Sequence, residues 1–266
     1  MNLVKSIWFL SCVLCFQSLI GQEPVINQVD NLGRKQGVWQ KTYPNGRLMY
    51  IGTFKDGKPV DTLKRYHDNG MMKAIMVFEE GSDHSRITVF YDNGEKSAEG
   101  FHKGNKKDSV WKFYSFYTGD LVSSETYVQG VKHGKERVYY ANGQISDEFI
   151  WENNIKHGMW KQFFEDGTKK LEARYQHNQL TGGYVVFHTN GVWMAKGKFI
   201  EDQRHGKWMF YDEKGKVKYE INYEFGVPDN QEEKMRRDQE FFKKVEENMG
   251  KFEEPSVEDF FRGGGY

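Results

Sequence analysis

The chain has 266 residues, and its 38 Lys and Arg balance 38 Asp and Glu, so the formal net charge is zero. That balance argues against a nucleic-acid-binding protein, which carries a basic footprint, and offers no electrostatic pull toward anionic lipid. Aromatic residues make up 16% of the chain while its mean hydropathy is −0.79, which suits a thin sheet cored by stacked rings.

Residues 1–21 read as a secretory signal. Lys5 supplies a short positive start, Ile7 to Ile20 is apolar apart from Ser11, Gln17 and Ser18, and Gly21 offers a small residue for cleavage. The apolar run is too short and interrupted for a membrane span. Both cysteines, Cys12 and Cys15, lie within it. Cleavage after Gly21 therefore leaves a cysteine-free chain starting at Gln22, an exported protein held together by its sheet rather than by disulfides.

After a lead-in over residues 22–36, a glycine recurs at Gly46, Gly70, Gly94, Gly119, Gly143, Gly167, Gly191 and Gly215, at intervals of 24 residues with a single 25. A period held over most of a chain means a repeat array. Asn precedes this Gly at Asn45, Asn69, Asn93, Asn142 and Asn190, and Asp does so at Asp166. Asn-Gly and Asp-Gly suit two-residue type I′ turns, so these dipeptides are expected to be tight hairpin tips. Seven residues before the Gly stands a large residue: Trp39, Leu63, Ile87, Trp160, Tyr184 or Trp208, with Trp111 equivalent in the fourth copy and Glu136 the exception. Eight residues after it comes a second aromatic, such as Phe54, Phe78, Tyr127, Trp151, Tyr175, Phe199 and Tyr223. A second, looser turn follows at Gly57, Gly81, Gly104, Gly130, Asn154, Asn178, Asp202 and Gly226. Each unit is thus strand, turn, strand, turn, and residues 37–228 form an antiparallel meander. Sixteen strands would extend over about 75 Å if the sheet stays open.

This pattern resembles the MORN repeat in its bacterial variant form. Gly158-Met-Trp160-Lys-Gln-Phe163-Phe164-Glu-Asp166-Gly167 fits the family pattern, as do Gly37-Val-Trp39 through Asn45-Gly46 and Gly206-Lys-Trp208-Met-Phe-Tyr211. Asp61 and Ser85 replace the leading Gly in copies two and three. The resemblance implies an all-β fold, an extended hairpin meander of about eight MORN-like repeats. Such chains also resemble YwqK-type toxin–antitoxin antitoxins, which implies an antitoxin-like use.

Residues 229–250 are expected to form a capping helix. Met235, Phe242, Val245, Met249 and Phe252 fall on one helical face, and Gly250 can stop the helix. Covering the last strand edge is the role expected of it, because an open edge recruits other chains. Residues 251–266 form an acidic-aromatic tail with Phe260 and Phe261. Residues 229–266 carry 7 Lys and Arg against 11 Asp and Glu, while residues 22–228 carry 30 against 27, so the tail is acidic and the array slightly basic.

No phosphate loop, nucleophile elbow, HExxH or paired-Cys site stands in the sequence. His133, His157 and His205 each precede a leading Gly, but each follows Lys or Arg, a poor setting for a metal. Neither a cofactor nor catalysis is expected. The expected function is an exported scaffold that binds a protein partner in the bacterial periplasm or envelope, or once secreted. The alternative is a module that binds glycan or a membrane surface through exposed rings. The candidate surface is Trp39, Trp111, Trp160, Tyr184 and Trp208, with Phe260 and Phe261 of the tail. The same rings are core if they face inward, which a thin sheet favours because it must spend most of its apolar surface on itself.

Overall fold

A computed structural model describes residues 25–229 and 232–246. Residues 1–21, read as a signal from the sequence, lie with their two cysteines outside the described residues, as do Met249, Phe252 and residues 251–266 with Phe260 and Phe261. The described chain is one antiparallel sheet of twenty strand segments followed by one helix, α1 (Glu232–Glu246). Two strands are each split at a bulge, Ile155–Lys156 from Gly158–Phe163 and Gln179–Leu180 from Gly182–Phe187. Setting aside the two-residue end segments Gln28–Val29 and Val227–Pro228 leaves the sixteen strands expected of eight hairpins. Pairing runs from each strand to the next, and among the described residues no ladder joins the two ends, so the sheet is open.

The turns differ from the sequence expectation. At the Asn-Gly tips the Gly46 N–H donates to the Tyr43 carbonyl at 2.9 Å, and the Tyr43 N–H to the Arg47 carbonyl at 2.8 Å. Gly46 has φ 81°, but Asn45 is not among the residues with positive φ. This is a type I turn closed by a left-handed Gly and a bulge, marked by the register shift between Lys41 and Thr42. Asn adopts this role because its Oδ1 accepts the N–H two residues on, as Asn45 does from Arg47 at 3.0 Å. The two-residue turns with positive φ at both positions are instead the second turns: Asp56-Gly57, Gln129-Gly130, Asn153-Asn154, His177-Asn178, Glu201-Asp202 and Phe225-Gly226.

The same asparagines tie each unit to the next. Their Nδ2 donates to a carbonyl 23 residues on: Asn45 to Asp68 at 3.0 Å, Asn69 to Asp92 at 2.8 Å, Asn142 to Glu165 at 2.9 Å and Asn190 to Glu213 at 2.8 Å. Two residues earlier in the tip a second tie spans the same 23 residues. Tyr43 donates to the Tyr66 carbonyl, Tyr91 to Tyr114 and Tyr140 to Phe163, each at 2.8 Å. His67 and His188 replace the tyrosine and contact the Phe90 and Tyr211 carbonyls through Nε2 at 3.0 and 3.1 Å, so these rings carry their proton on Nε2. Asp166 accepts from Thr168 but has no N–H to reach onward. Asn142→Ala should therefore cost about 1 kcal/mol by loss of two exposed bonds, and Asn142→Asp about half of that. Urea unfolding midpoints of the two variants against the parent check this ordering.

The large residues form one row across the inner face, alternating with small ones. Trp39 faces Gly52, Ile87 faces Gly100, Trp160 faces Ala173 and Tyr184 faces Gly197 in register. This alternation lets a ring lie flat on the neighbouring backbone. A Cβ on Gly197 would stand 2.2 Å from the Trp208 ring, and one on Gly100 would stand 2.5 Å from Trp111. Two apolar clusters result. The larger includes Trp160, Leu171, Tyr184, Val186, Trp208, Phe210 and Ile221, and the smaller is Ile87, Ala98 and Trp111.

Each end is capped differently. Gln28–Val29 pairs with Gln36 and Lys35, and the Trp39 indole donates to the Gln28 carbonyl at 2.7 Å, so the lead-in covers the first edge. At the other end α1 covers a face rather than the final edge. Phe242 packs on Trp208, with ring centres 5.6 Å apart, and Phe241 on Phe210 at 5.4 Å. The reason is the wide apolar face that the last two units present: burying it returns more free energy than shielding a short edge. Val227–Pro228 closes part of that edge by pairing with Glu224 and Tyr223.

Candidate functional site

A cation stands two residues before the leading position in most units, and it is tucked against rings of the inner face. Lys35 Nζ lies 4.7 Å from the centre of Trp39 and 4.8 Å from that of Phe54. Lys107 lies 4.7 Å from Phe113 and 4.9 Å from Tyr127, and Lys156 lies 4.2 Å from Phe149. Burial lowers the Lys107 pKa, Glu125 opposes this, and Lys132 adds to it. These contacts let long side chains close the rim of a thin core.

The middle of the row is polar. Glu136 takes the place of a ring and is 2% exposed. Its carboxylate accepts the Trp151 indole N–H and lies 3.4 Å from Lys132 Nζ. That amine also bonds Glu125 at 2.8 Å, and Glu125 accepts the Tyr127 hydroxyl. Glu125 and Glu136 are directly paired across the strands. The network spends its charges on one another, which fits a device that fixes strand register between the two apolar clusters. The out-of-pattern Glu136 was its only sequence signal.

His102 packs on Trp111, with ring centres 5.2 Å apart. Burial, and then the Lys107 charge, hold its pKa down at about 4 against an ordinary 6.5. Between those values the unfolded chain binds a proton that the folded chain refuses, so stability falls as the pH drops through this window. Solvent reaches part of the ring, and the effect is discounted to about 1 kcal/mol. The urea midpoint should therefore drop less for His102→Gln than for the parent between pH 7 and pH 4.5.

The last units present a different surface. Arg204 occupies the cation position of the eighth unit, and its Cζ lies 3.3 Å from the centre of the Phe242 ring. Its guanidinium bonds Asp238 of α1, which also accepts the Tyr223 hydroxyl. Asp238 is 4% exposed, and burial raises its pKa against the opposing pull of Tyr223 and Arg204. This anchor places α1 beside a cleft of about 360 Å³. The floor is Leu171, Val186 and Phe210, and Phe241 and Val245 of α1 form one wall. Lys170, Lys218 and Lys244 stand around it, and its described lining residues include no Asp or Glu. Burial lowers the Lys170 pKa, opposed by Asp147. Gln162 also lines the cleft; its Nε2 donates to Asp147 at 2.8 Å, while its buried Oε1 has no partner. The cleft thus offers an apolar floor and positive charge, with Gln162 Oε1 buried beneath its lining.

The structure corrects the candidate ring surface. Trp111, Trp160, Tyr184 and Trp208 are 1%, 6%, 3% and 0% exposed, so they are core and present no docking platform. Each lies against a small residue or another ring, which removes it from solvent. Trp39 is half-buried beneath Lys35 and the lead-in. His157 packs against His177, with ring centres 5.5 Å apart, and among the described residues no three His, Cys, Asp or Glu side chains gather as metal ligands. No described helix is long and apolar enough to cross a membrane. Sequence reasoning missed the cleft and its Asp238 anchor, because Asp238 is one carboxylate within a charged run.

The fold and its inner row define an all-β repeat protein built from stacked hairpins. The family described as the MORN repeat variant matches residues 35–56, 132–153, 156–177 and 204–224, so these four hairpins are MORN-type repeats. No curated protein matches the chain. Among solved structures, one of TarM is similar over 38% of this chain and 20% of that one, at 14% identity and a TM-score of 0.27. A structure of TcdB2-TccC3 is similar over 75% of this chain and 15% of that one, at 10% identity and a TM-score of 0.18. The chain thus spans a fifth or less of either protein, and likenesses this weak bear on neither fold nor function.

Proposed function

We propose that the protein is a non-catalytic repeat scaffold that binds a protein partner, exported to the bacterial periplasm or envelope. The observation that carries this reading is the cleft beside α1, an apolar floor among three lysines. An apolar side chain of a bound chain would fill the floor, and its acidic groups would meet the lysines. The antitoxin-like use implied by the family resemblance is one form of this role. Burial of the ring row weakens the glycan alternative, because a sugar platform needs exposed rings.

The test is capture from native cell envelopes, using mature chain (Gln22–Tyr266) crosslinked in place and mass spectrometry. Recovery of one protein near stoichiometry, lost in Lys170→Glu/Lys218→Glu, supports the scaffold. Retention on the envelope fraction without any protein partner would overturn it in favour of glycan or lipid.

A further inference from the structure

We propose that the cleft beside α1 is the docking site of the chain's own acidic-aromatic segment, residues 251–266, which a partner must displace. This rests on reading the cleft as the recognition surface and adds how that surface is regulated. Three observations converge on this occupant.

The first is charge. Lys170, Lys218 and Lys244 line the cleft, Asp147 acts on Lys170 from outside the lining, and no carboxylate stands among the described lining residues, in a protein whose net charge is zero. Residues 251–266 hold Glu253, Glu254, Glu258 and Asp259 against Lys251 and Arg262. The second is chemistry. The apolar floor needs an apolar anchor, and the segment supplies Phe252, Phe260 and Phe261 beside its acids. The third is connection. Lys244 and Val245 line the cleft, so only a few residues of sequence separate its rim from the segment. The 15 residues from Val245 to Phe260 can extend up to about 50 Å, so reach is no obstacle. Tethering keeps the effective concentration near millimolar, and weak affinity is enough for occupancy.

The experiment places a photo-crosslinking benzoylphenylalanine at position 261 of the full chain, irradiates it at high dilution and maps the products by mass spectrometry. The expected products are intramolecular and fall on the cleft, around Leu171, Val186, Phe210 or Phe241. Lys170→Glu/Lys218→Glu should lower their yield about tenfold, and adding Glu258→Lys/Asp259→Lys should restore it. Products elsewhere on the sheet, products only between two copies, or a yield indifferent to charge reversal would overturn the proposal. The circular dichroism of each variant shows that the sheet is intact. Envelope capture is read separately: a captured partner with crosslinks that miss the cleft sinks only the tail, and cleft crosslinks with no captured partner sink only the scaffold reading.

Discussion

Trp208→Ala should destabilise the protein by about 3–5 kcal/mol, the range for emptying a buried aromatic site. Trp208 is fully buried, and its ring touches Tyr184 at 5.7 Å, Phe199 at 5.3 Å and Phe242 at 5.6 Å between centres. The site cannot collapse easily, because the strand opposite already lies against the ring at Gly197. Gly197→Ala tests the same contact from the other side. Its Cβ would stand 2.2 Å from the indole, and the ring has nowhere to move, so a loss of about 3 kcal/mol follows from overpacking. Trp39→Ala, at a half-buried ring near the array's start, should cost much less, about 1–2 kcal/mol. Chemical unfolding of the three variants gives the ranking, and comparable losses at Trp39 and Trp208 would contradict the burial argument.

Asp238→Ala should release α1 while leaving the sheet folded. The substitution leaves the Arg204 guanidinium, 22% exposed, without its carboxylate at the helix contact. Breaking such a pair costs about 3–5 kcal/mol, mostly the penalty of an uncompensated charge. Against this α1 has few anchors, chiefly Phe241, Phe242 and Val245. The cost therefore falls on helix docking before it reaches the sheet, as local unfolding does. Hydrogen exchange should show lost protection over residues 236–246 with sheet amides unchanged. Arg204→Lys keeps the charge but gives up the planar fork, and should fall between the parent and Asp238→Ala. Acidification should act in the opposite direction at this contact from its effect at His102. Burial raises the Asp238 pKa in the folded state, so proton uptake at this group favours docking as pH falls through that value, while the ion pair with Arg204 operates above it.

Much of the fold can be read from the 24-residue period. The period works because each unit must place the same large residue against the same small one on its neighbour, and Trp160 against Ala173 repeats the logic of Tyr184 against Gly197. The turn types are not legible in this way. Asn-Gly serves a type I′ turn or a type I turn with a left-handed Gly, and the choice rests on the Asn side chain reaching forward to Asp68 or Glu165 in the next unit, a contact between repeats. The helix is visible as a stripe that includes Phe242 and Val245, but its position depends on Asp238 meeting Arg204 34 residues away in sequence. The cleft is hidden for the same reason: residues 162–171, 186–188, 210–219 and the helix contribute to it together. The ring row shows the reverse problem. Its residues are obvious, but only the small partners opposite them determine that they are core.

The most direct test of the account sets stability against partner binding in two variants of the full chain. Partner retention from envelopes and the urea unfolding midpoint are measured for Trp208→Ala and for Lys170→Glu/Lys218→Glu. The account predicts that the lysine variant loses the partner at least tenfold with an unchanged midpoint, while Trp208→Ala loses stability first and binding only as a consequence. A Trp208→Ala protein that keeps the parent's midpoint but loses its partner, or a lysine variant that retains the partner fully, would contradict it.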